Sequence, residues 1–284
     1  MTLPDDTRVI HAESELYNAE LVRREDETDD LAYFRVRYTG EPVPFEAGQY
    51  LTIGVQADGK LVQRPYSVAS SPRVAREGYE FYVRLVPILR FTTLLWRLPV
   101  GHGMRMTGPK GRFMLEPDDD RAHLFISTGT GIAPFISMIR TQLFDSAPRR
   151  TVVAHGVSYA RELGYRRELE RYERDGLPIT YVPTISRPRD PANGGWTGRT
   201  GRVEAILDDV CEDFGLAPER TVAYICGNPE MILNAEAIVR ARGLPEPHVK
   251  KELYWPKGKD AGFAVDASTG ERVPREAAAV RTEA

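Results

Sequence analysis

Cysteine is nearly absent from this chain: its 284 residues include two, Cys211 and Cys226, and no Cys-x-x-Cys pair. A plant-type iron–sulfur cluster needs four Cys ligands, so these residues hold no such cluster unaided. A disulfide between them is not expected in a reducing cytoplasm. Long apolar runs are missing too, none approaching the ~18 residues of a membrane helix. The opening "MTLPDDTRVIHAESEL" lacks the basic-then-apolar order of a secretory signal. The expectation is a cytoplasmic monomer with no membrane partner. A net charge of −3 gives no reason to expect nucleic acid, and no internal repeat is visible.

What is present is ordinary in bulk and uneven in detail. A hydrophobic content of 42% and a charged content of 28% suit a soluble globular protein, and the length suits one large or two modest domains. Residues 1–30 hold ten acids against three Arg, whereas residues 140–202 hold twelve Arg against seven acids. Most charges in stretches such as "YRRELERYERDG" read as solvated helix faces. A basic surface for an anionic nucleotide or an acidic partner protein is the alternative.

The chain has two grammars. From about Leu16 to Leu115 short β-rich runs alternate with turns. "LAYFRVRY" sets Tyr33, Arg35 and Arg37 against Phe34, Val36 and Tyr38, and "QYLTIGV" and "YEFYVRLV" are similar in length. Breaks are read at Thr39-Gly40, Asp58-Gly59, Gly78, Gly101 and Gly108-Pro109. A closed antiparallel β-barrel is the economical arrangement. After about Pro117, the runs "HLFIS", "TVVAHGV", "ITYVPTI" and "VAYIC" are separated by helical patterns at 133–144, 163–175 and 202–212, with "PEMILNAEAIVRARG" following. That order predicts a parallel sheet flanked by helices. The expected domains are 1–117 and 118–256. Residues 257–284 are expected as a mobile extension, with a small hairpin around Ser268-Thr269-Gly270 as the alternative.

In "STGTGIAPF" a buried strand runs into a Gly-Thr-Gly turn and then a helix, with Pro134 in its first turn. Unpaired N–H groups and the positive end of the helix dipole point at one place, a ready phosphate site. The third glycine of G-x-G-x-x-G is replaced by Pro134, so this segment alone is open between a nucleotide turn and a plain strand-to-helix turn. "RPYSVASSP", just after a probable strand, offers an Arg, hydroxyls and an aromatic ring that suit a pyrophosphate and a flat heterocycle; a surface strand is the plainer reading.

Together "RPYS", "STGTGIAP" and "CGNPEM", with "FEAGQY", "GPKGRF" and "KELYW", resemble the ferredoxin–NADP reductase family of flavoproteins, in the family's order and up to Trp255. The resemblance implies FAD in the barrel, with Arg64 on the pyrophosphate, Tyr66 after Pro65 on the isoalloxazine or ribityl region, and Ser67 beside flavin N5. Tyr82, Val83, Arg84 and Leu85 would line the flavin through backbone groups, and Thr92 or Thr93 would approach the FAD phosphates. Thr128, Gly129, Thr130 and Gly131 would hold the pyrophosphate of NADP(H). Ser186 and Arg187, with Arg202 or else Arg199, would meet its 2′-phosphate; Ser158 stands where some bacterial members have another Arg. Cys226 and Gly227 would lie by the nicotinamide, although a buried Cys is more often packing. Glu252 and Tyr254 match the family's Glu-x-Tyr terminus, where the carboxylate assists near the nicotinamide and the aromatic ring covers the flavin. Here Trp255 and 29 more residues follow, which leaves open which group covers the flavin.

The activity implied is electron transfer between NADP(H) and a one-electron carrier, ferredoxin or flavodoxin, through FAD. A stand-alone reductase component of an oxygenase system is the nearest alternative. A redox-sensing module that holds FAD and nucleotide without turnover is the alternative of another class.

Overall fold

The structure is a computed structural model and describes residues 8–116, 120–144, 148–253, 263–265 and 272–274. The chain forms two compact units, Met1–Glu252 and Leu253–Ala284.

Six strands build the first sheet: β1 (Ala19–Thr28), β2 (Leu31–Tyr38), β3 (Tyr50–Ala57), β4 (Lys60–Ser67), β5 (Tyr79–Arg84) and β6 (Gly103–Lys110). Their order is β4-β3-β6-β1-β2-β5, and the pairings are antiparallel. The two ends of that order meet just past β4, where Ala69 N–H donates to Glu80 O at 2.8 Å. That bond curls the sheet into the expected barrel. Alternation in β2 works as read: Phe34 and Val36 are buried and Arg37 is exposed. A short helix α1 (Arg90–Leu95) plugs one side with Phe91 and Leu94.

Three details depart from the sequence reading. "RPYS" lies inside β4 rather than after a strand, because Ser67 still pairs with Tyr50. Gly108-Pro109 lies within β6 rather than breaking it. β1, rich in charge, gave little strand signal; it is held by pairing with β2 from Ala19–Tyr38 to Thr28–Leu31, with only Ala19 and Leu21 buried among its side chains.

The second sheet holds β7 (Ala122–Thr128), β8 (Thr151–Val157), β9 (Ile179–Ile185), β10 (Arg199–Thr200), β11 (Thr221–Gly227) and β12 (Val249–Leu253), in the order β10-β9-β8-β7-β11-β12. The pairings from β10 through to β11 are parallel. β8 and β11 are buried along their whole length, as strands covered on both faces must be. The helices are α2 (Ala133–Gln142), α3 (Arg166–Arg174), α4 (Leu207–Asp213) and α5 (Pro229–Ala241). Short 3-10 segments precede α3 and α4: Ala160–Glu162, just ahead of the pattern read at 163–175, and Val203–Ile206, at the start of the one read at 202–212. Chain order reverses between β7 and β11, and in open α/β sheets ligands bind at the carboxyl ends of strands at such a switch.

In the second unit, β13 (Phe263–Val265) and β14 (Arg272–Pro274) pair antiparallel. The hairpin alternative is therefore realised there. The turn proposed at Ser268-Thr269-Gly270 lies outside the described residues, as do the domain boundaries at 117 and 256.

Phe125 anchors the core of the second sheet. It is fully buried, stacked on Phe135 of α2 at 4.6 Å and met edge-on by Tyr224 at 5.5 Å. Phe125→Ala is expected to lower unfolding free energy by about 3–5 kcal/mol, read from the denaturant midpoint. A loss under about 1 kcal/mol would show that the site collapses around the gap.

Candidate functional site

The wedge between β4 and β5 comes first. Past the Ala69–Glu80 junction the two strands are not paired with each other, so Arg64–Ser67 and Tyr82–Leu85 form facing sides of an opening. Leu85 N–H donates to Asp30 O at 2.8 Å. In an antiparallel ladder that parity turns the main-chain groups of Tyr82 and Arg84 away from β2, toward the opening. The arrangement fits a flat heterocycle held by backbone groups, as the resemblance implied.

The side chains around the wedge divide by task. Arg64 and Pro65 are exposed, and Arg64 Nη1 donates to the neighbouring Gln63 O at 2.8 Å with no ion pair among the described residues, so the fork is available to an anion. Tyr66 packs its ring 5.8 Å from Phe91. Burial raises the pKa of its phenol, with Arg64 pulling the other way. Tyr82, Val83 and Leu85 are buried. Arg84 binds Asp30 at 2.6 Å and reaches across to Glu162 at 3.0 Å. Thr92 is turned inward, donating to Val86 O at 2.9 Å and Leu89 O at 3.1 Å. Thr93 donates to Arg90 O at 3.0 Å and accepts from Arg8 at 3.1 Å.

At the switch between β7 and β11 the backbones nearly touch. A Cβ on Gly131 would lie 2.5 Å from Cys226 O, and one on Gly227, at φ +140°, would lie 2.4 Å from Thr128 Oγ1. Both glycines are therefore required by close approach. Gly129, at φ +52°, has nothing within 4 Å of where a side chain would stand. That leaves open space over the turn.

The two helices at this switch differ. α5 is closed by its own N-cap, Asn228, whose side chain accepts from Glu230 N–H at 2.9 Å and Met231 N–H at 3.4 Å. α2, entered through the 3-10 turn Gly129–Ile132, has no side-chain cap, so its N–H groups and dipole remain available to a phosphate. The residues present fit both a flavin at the wedge and a dinucleotide at this turn.

His155 was missed by the sequence reading. Its Nε2–H donates to Gly129 O at 3.0 Å, and Nδ1 lies 3.1 Å from Tyr181 Oη. The carbonyl can only accept, which fixes the tautomer. Burial pushes the imidazole down to about 4, with the Gly129 bond opposing, so the ring braces the turn in its neutral form.

Ser186 and Arg187 follow β9 and are exposed. Ile185 pairs with Thr200, which brings them beside Gly201 and Arg202. Arg202 is exposed, 3.9 Å from both Glu204 and Glu230. Arg199, the fallback, is paired with Asp213 at 2.5 Å. Arg187 donates to Tyr159 Oη at 2.9 Å and lies over that ring at 5.5 Å, and Arg161 lies over the same ring at 4.6 Å. Tyr159 and Arg161 were not singled out from sequence. Glu162 was also missed, although it stands three residues after Tyr159 in capping-box spacing: it accepts the Ser158 and Tyr159 amides at 3.1 and 3.2 Å.

Ser67 and Glu252 close the site. Ser67 Oγ on β4 donates to Glu252 Oε2 on β12 at 3.3 Å, joining the two sheets. Burial raises the Glu252 carboxyl to about 7, with the Ser67 bond working the other way. Cys226 is buried at the end of β11, and Cys211 is buried in α4. Tyr254 and Trp255 lie outside the described residues.

Comparison with known proteins agrees with this geometry. The family model described as "Oxidoreductase FAD-binding domain" matches residues 18–115, and "Oxidoreductase NAD-binding domain" matches residues 125–237. Ferredoxin–NADP reductase B of Sorangium cellulosum (strain So ce56) is 31% identical over 221 residues, covering 77% of this chain and 88% of that protein. The chain belongs to the ferredoxin–NADP reductase family. It is a flavoprotein oxidoreductase that uses FAD and a nicotinamide nucleotide. The naphthalene 1,2-dioxygenase system ferredoxin–NAD(P)+ reductase component of Pseudomonas putida is 26% identical over 257 residues, covering 90% of this chain and 74% of that protein. Among solved structures, an Amycolatopsis cytochrome P450 reductase superposes with a TM-score of 0.73 at 27% identity, covering 84% of this chain and 70% of that one. No helix among the described residues is long and apolar enough to cross a membrane.

The raised Glu252 carboxyl has a thermodynamic sign. An acid whose folded pKa exceeds its unfolded value contributes stability that is full below about pH 4.5 and lost as pH rises to about 7. Glu252→Gln removes that loss, so its melting temperature is expected to gain on the wild type across this window and stay level above it. Parallel melting profiles for the two proteins would show that Glu252 ionises without penalty.

Proposed function

We propose that this protein passes electrons between NADP(H) and a one-electron carrier, ferredoxin or flavodoxin, through FAD. FAD, when bound, exchanges electrons in pairs with a nicotinamide and singly with a carrier. The observation that carries the reading is the Ser67–Glu252 hydrogen bond, 3.3 Å between a strand of the flavin-side barrel and the last strand of the nucleotide sheet. It brings a hydroxyl and a carboxyl that titrates at about 7 to the place where the two binding regions converge. A family with these two domains needs its reacting atoms there.

The chain's own residues divide the work. Arg64 clamps the FAD pyrophosphate with its planar fork, Tyr66 lies along the flavin, and the main chain of Tyr82 and Arg84 holds the ring edge. Thr92 supports this by tying the loop that follows β5. The turn Thr128–Gly131 and the uncapped α2 hold the nicotinamide nucleotide's pyrophosphate. Gly227 allows the nicotinamide end to come close to the β11 terminus, beside Cys226. Ser67 orients the reacting edge, and Glu252 holds or releases a proton at Ser67 Oγ.

Preference for NADP(H) rests on Ser186, Arg187 and Arg202, which are exposed at neighbouring strand ends with no acidic residue salt-bridged to Arg187 among the described residues. A stacked arginine with donors to spare suits a 2′-phosphate. A second reading, the reductase component of an oxygenase system, is favoured by the length of the match to the dioxygenase reductase of Pseudomonas putida. The experiment that separates them is rapid-mixing reduction of the purified yellow protein by NADPH and NADH, followed by turnover with ferredoxin, flavodoxin and oxygenase components. Fast turnover with oxygenase components alone would favour the second reading. A flavin-bearing protein that no nicotinamide nucleotide reduces would indicate a redox-sensing module.

Arg187→Ala is expected to raise KM for NADPH by about tenfold or more, the loss of one charge-assisted contact, and to leave NADH kinetics nearly unchanged. Equal losses with both nucleotides in steady-state assays would show that Arg187 does not read the phosphate.

A further inference from the structure

α2 does more than begin at the nucleotide turn. One face of it, at positions spaced three and four apart, grips the segment that follows Ser67. Ser137 Oγ donates to Ser70 O at 2.7 Å, Arg140 Nη1 donates to Ala69 O at 3.1 Å, and Thr141 Oγ1 lies 3.0 Å from Ser71 Oγ. Two of these contacts are to main-chain carbonyls, so they fix where the backbone runs rather than which side chains it bears. The gripped segment is tied on its other side as well: Val68 N–H donates to Gln49 O at 3.1 Å, Ala69 N–H to Glu80 O at 2.8 Å, and Glu80 N–H to Ser70 Oγ at 3.1 Å.

We propose that Ser137, Arg140 and Thr141 are positioning residues that set the distance between the nucleotide turn and the flavin-side segment 67–71. The inference rests on the proposed function, since it assigns the two ends of α2 to the two reacting groups. A helix is a rod rising about 1.5 Å per residue. The turn at its N-terminus and the clamp two turns later are therefore separated by a length the helix enforces. Ser67, two residues before Ala69, is carried along with the clamped backbone, and the Gly129–Ile132 turn is carried along with the other end. Approach of the two cofactors is then set by one short element, with no domain closure needed to create it.

The test uses the full-length flavoprotein carrying Ser137→Ala with Thr141→Val, which removes both hydroxyl contacts and keeps the helix. Arg140→Lys is the second variant, since it retains charge in the buried network. Five quantities are read: melting temperature, nucleotide Kd, the long-wavelength charge-transfer absorbance of the NADP+ complex, the rate of flavin reduction by NADPH, and amide hydrogen exchange at 68–71 in flavin-free protein. Expected are faster exchange at 68–71, a weaker charge-transfer band at saturation, and reduction slowed roughly 10- to 100-fold. Kd should stay within about twofold, because the turn itself is untouched. A double variant with a lower melting temperature but an unchanged band and rate overturns the positioning role and leaves the proposed function standing. A wild type whose flavin neither nucleotide reduces overturns the proposed function, and the positioning role with it.

Discussion

A guanidinium held between two sheets has to be paired, and much of this molecule is arranged around that requirement at Arg140. Glu168 of α3 takes it in a two-point grip at 2.8 and 2.7 Å, and Glu80 of β5 approaches at 2.8 Å. The Tyr165 ring lies 5.3 Å from the charge, and its hydroxyl donates to Glu80 at 3.1 Å. Burial pushes the Glu80 carboxyl up, but Arg140 and Arg35 outweigh it and hold the group below its usual range. Removing one partner from such a network leaves an uncompensated charge, typically a loss of ~3–5 kcal/mol. Glu80 belongs to the barrel, and Arg140 and Glu168 belong to the helices of the nucleotide sheet. The network therefore makes one body of two sheets that sequence grammar separates, in keeping with the single compact unit Met1–Glu252.

From that body the two candidate ligand regions follow by different local means. At the wedge the means is omission: β4 and β5 meet at Ala69 and Glu80 and then pair no further, so backbone groups that a closed barrel would consume face outward. At the switch the means is compression. Gly131 and Gly227 let the ends of β7 and β11 come within contact distance, and His155 supports the turn from beneath through Gly129 O. A charged imidazole in that place would have to be desolvated, and its depressed pKa reflects this. The brace is neutral and adds no charge at the turn.

Much of this was legible in the sequence. The runs "TVVAHGV" and "ITYVPTI" matched β8 and β9 at both ends because strands inside a parallel sheet are largely buried, β8 along its whole length and β9 at all but Thr180 and Pro183. The glycine turn was visible because Gly131 is required by close approach and Gly129 by its positive φ. Less legible was β1, whose charges belong to a largely solvated strand held by its neighbours' hydrogen bonds. His155 and Arg140 escaped for another reason. Each acts through partners distant in the chain or through backbone carbonyls, and no spacing rule reports a donor aimed at Gly129 O or Ala69 O. Thr92 shows the converse: a hydroxyl in a suggestive place is used to tie its own loop.

The Ser67–Glu252 pair shows what joining the sheets achieves chemically. Neither residue is unusual alone: Ser67 ends a barrel strand, and Glu252 stands in an edge strand among lysines, with Lys251 on its neighbour Glu236 and Lys250 on Glu116 at 2.5 Å. Those cations are directed to other carboxylates, so burial is the dominant influence left on Glu252, and it outweighs the one hydrogen bond from Ser67. A carboxyl raised to about 7 populates both protonation states near neutrality. As a carboxylate it accepts from Ser67, and as a carboxylic acid it can donate to the same oxygen. The pair can therefore reverse the direction of its hydrogen bond with no heavy atom moving, and it exists only because a strand from each sheet ends at the same point.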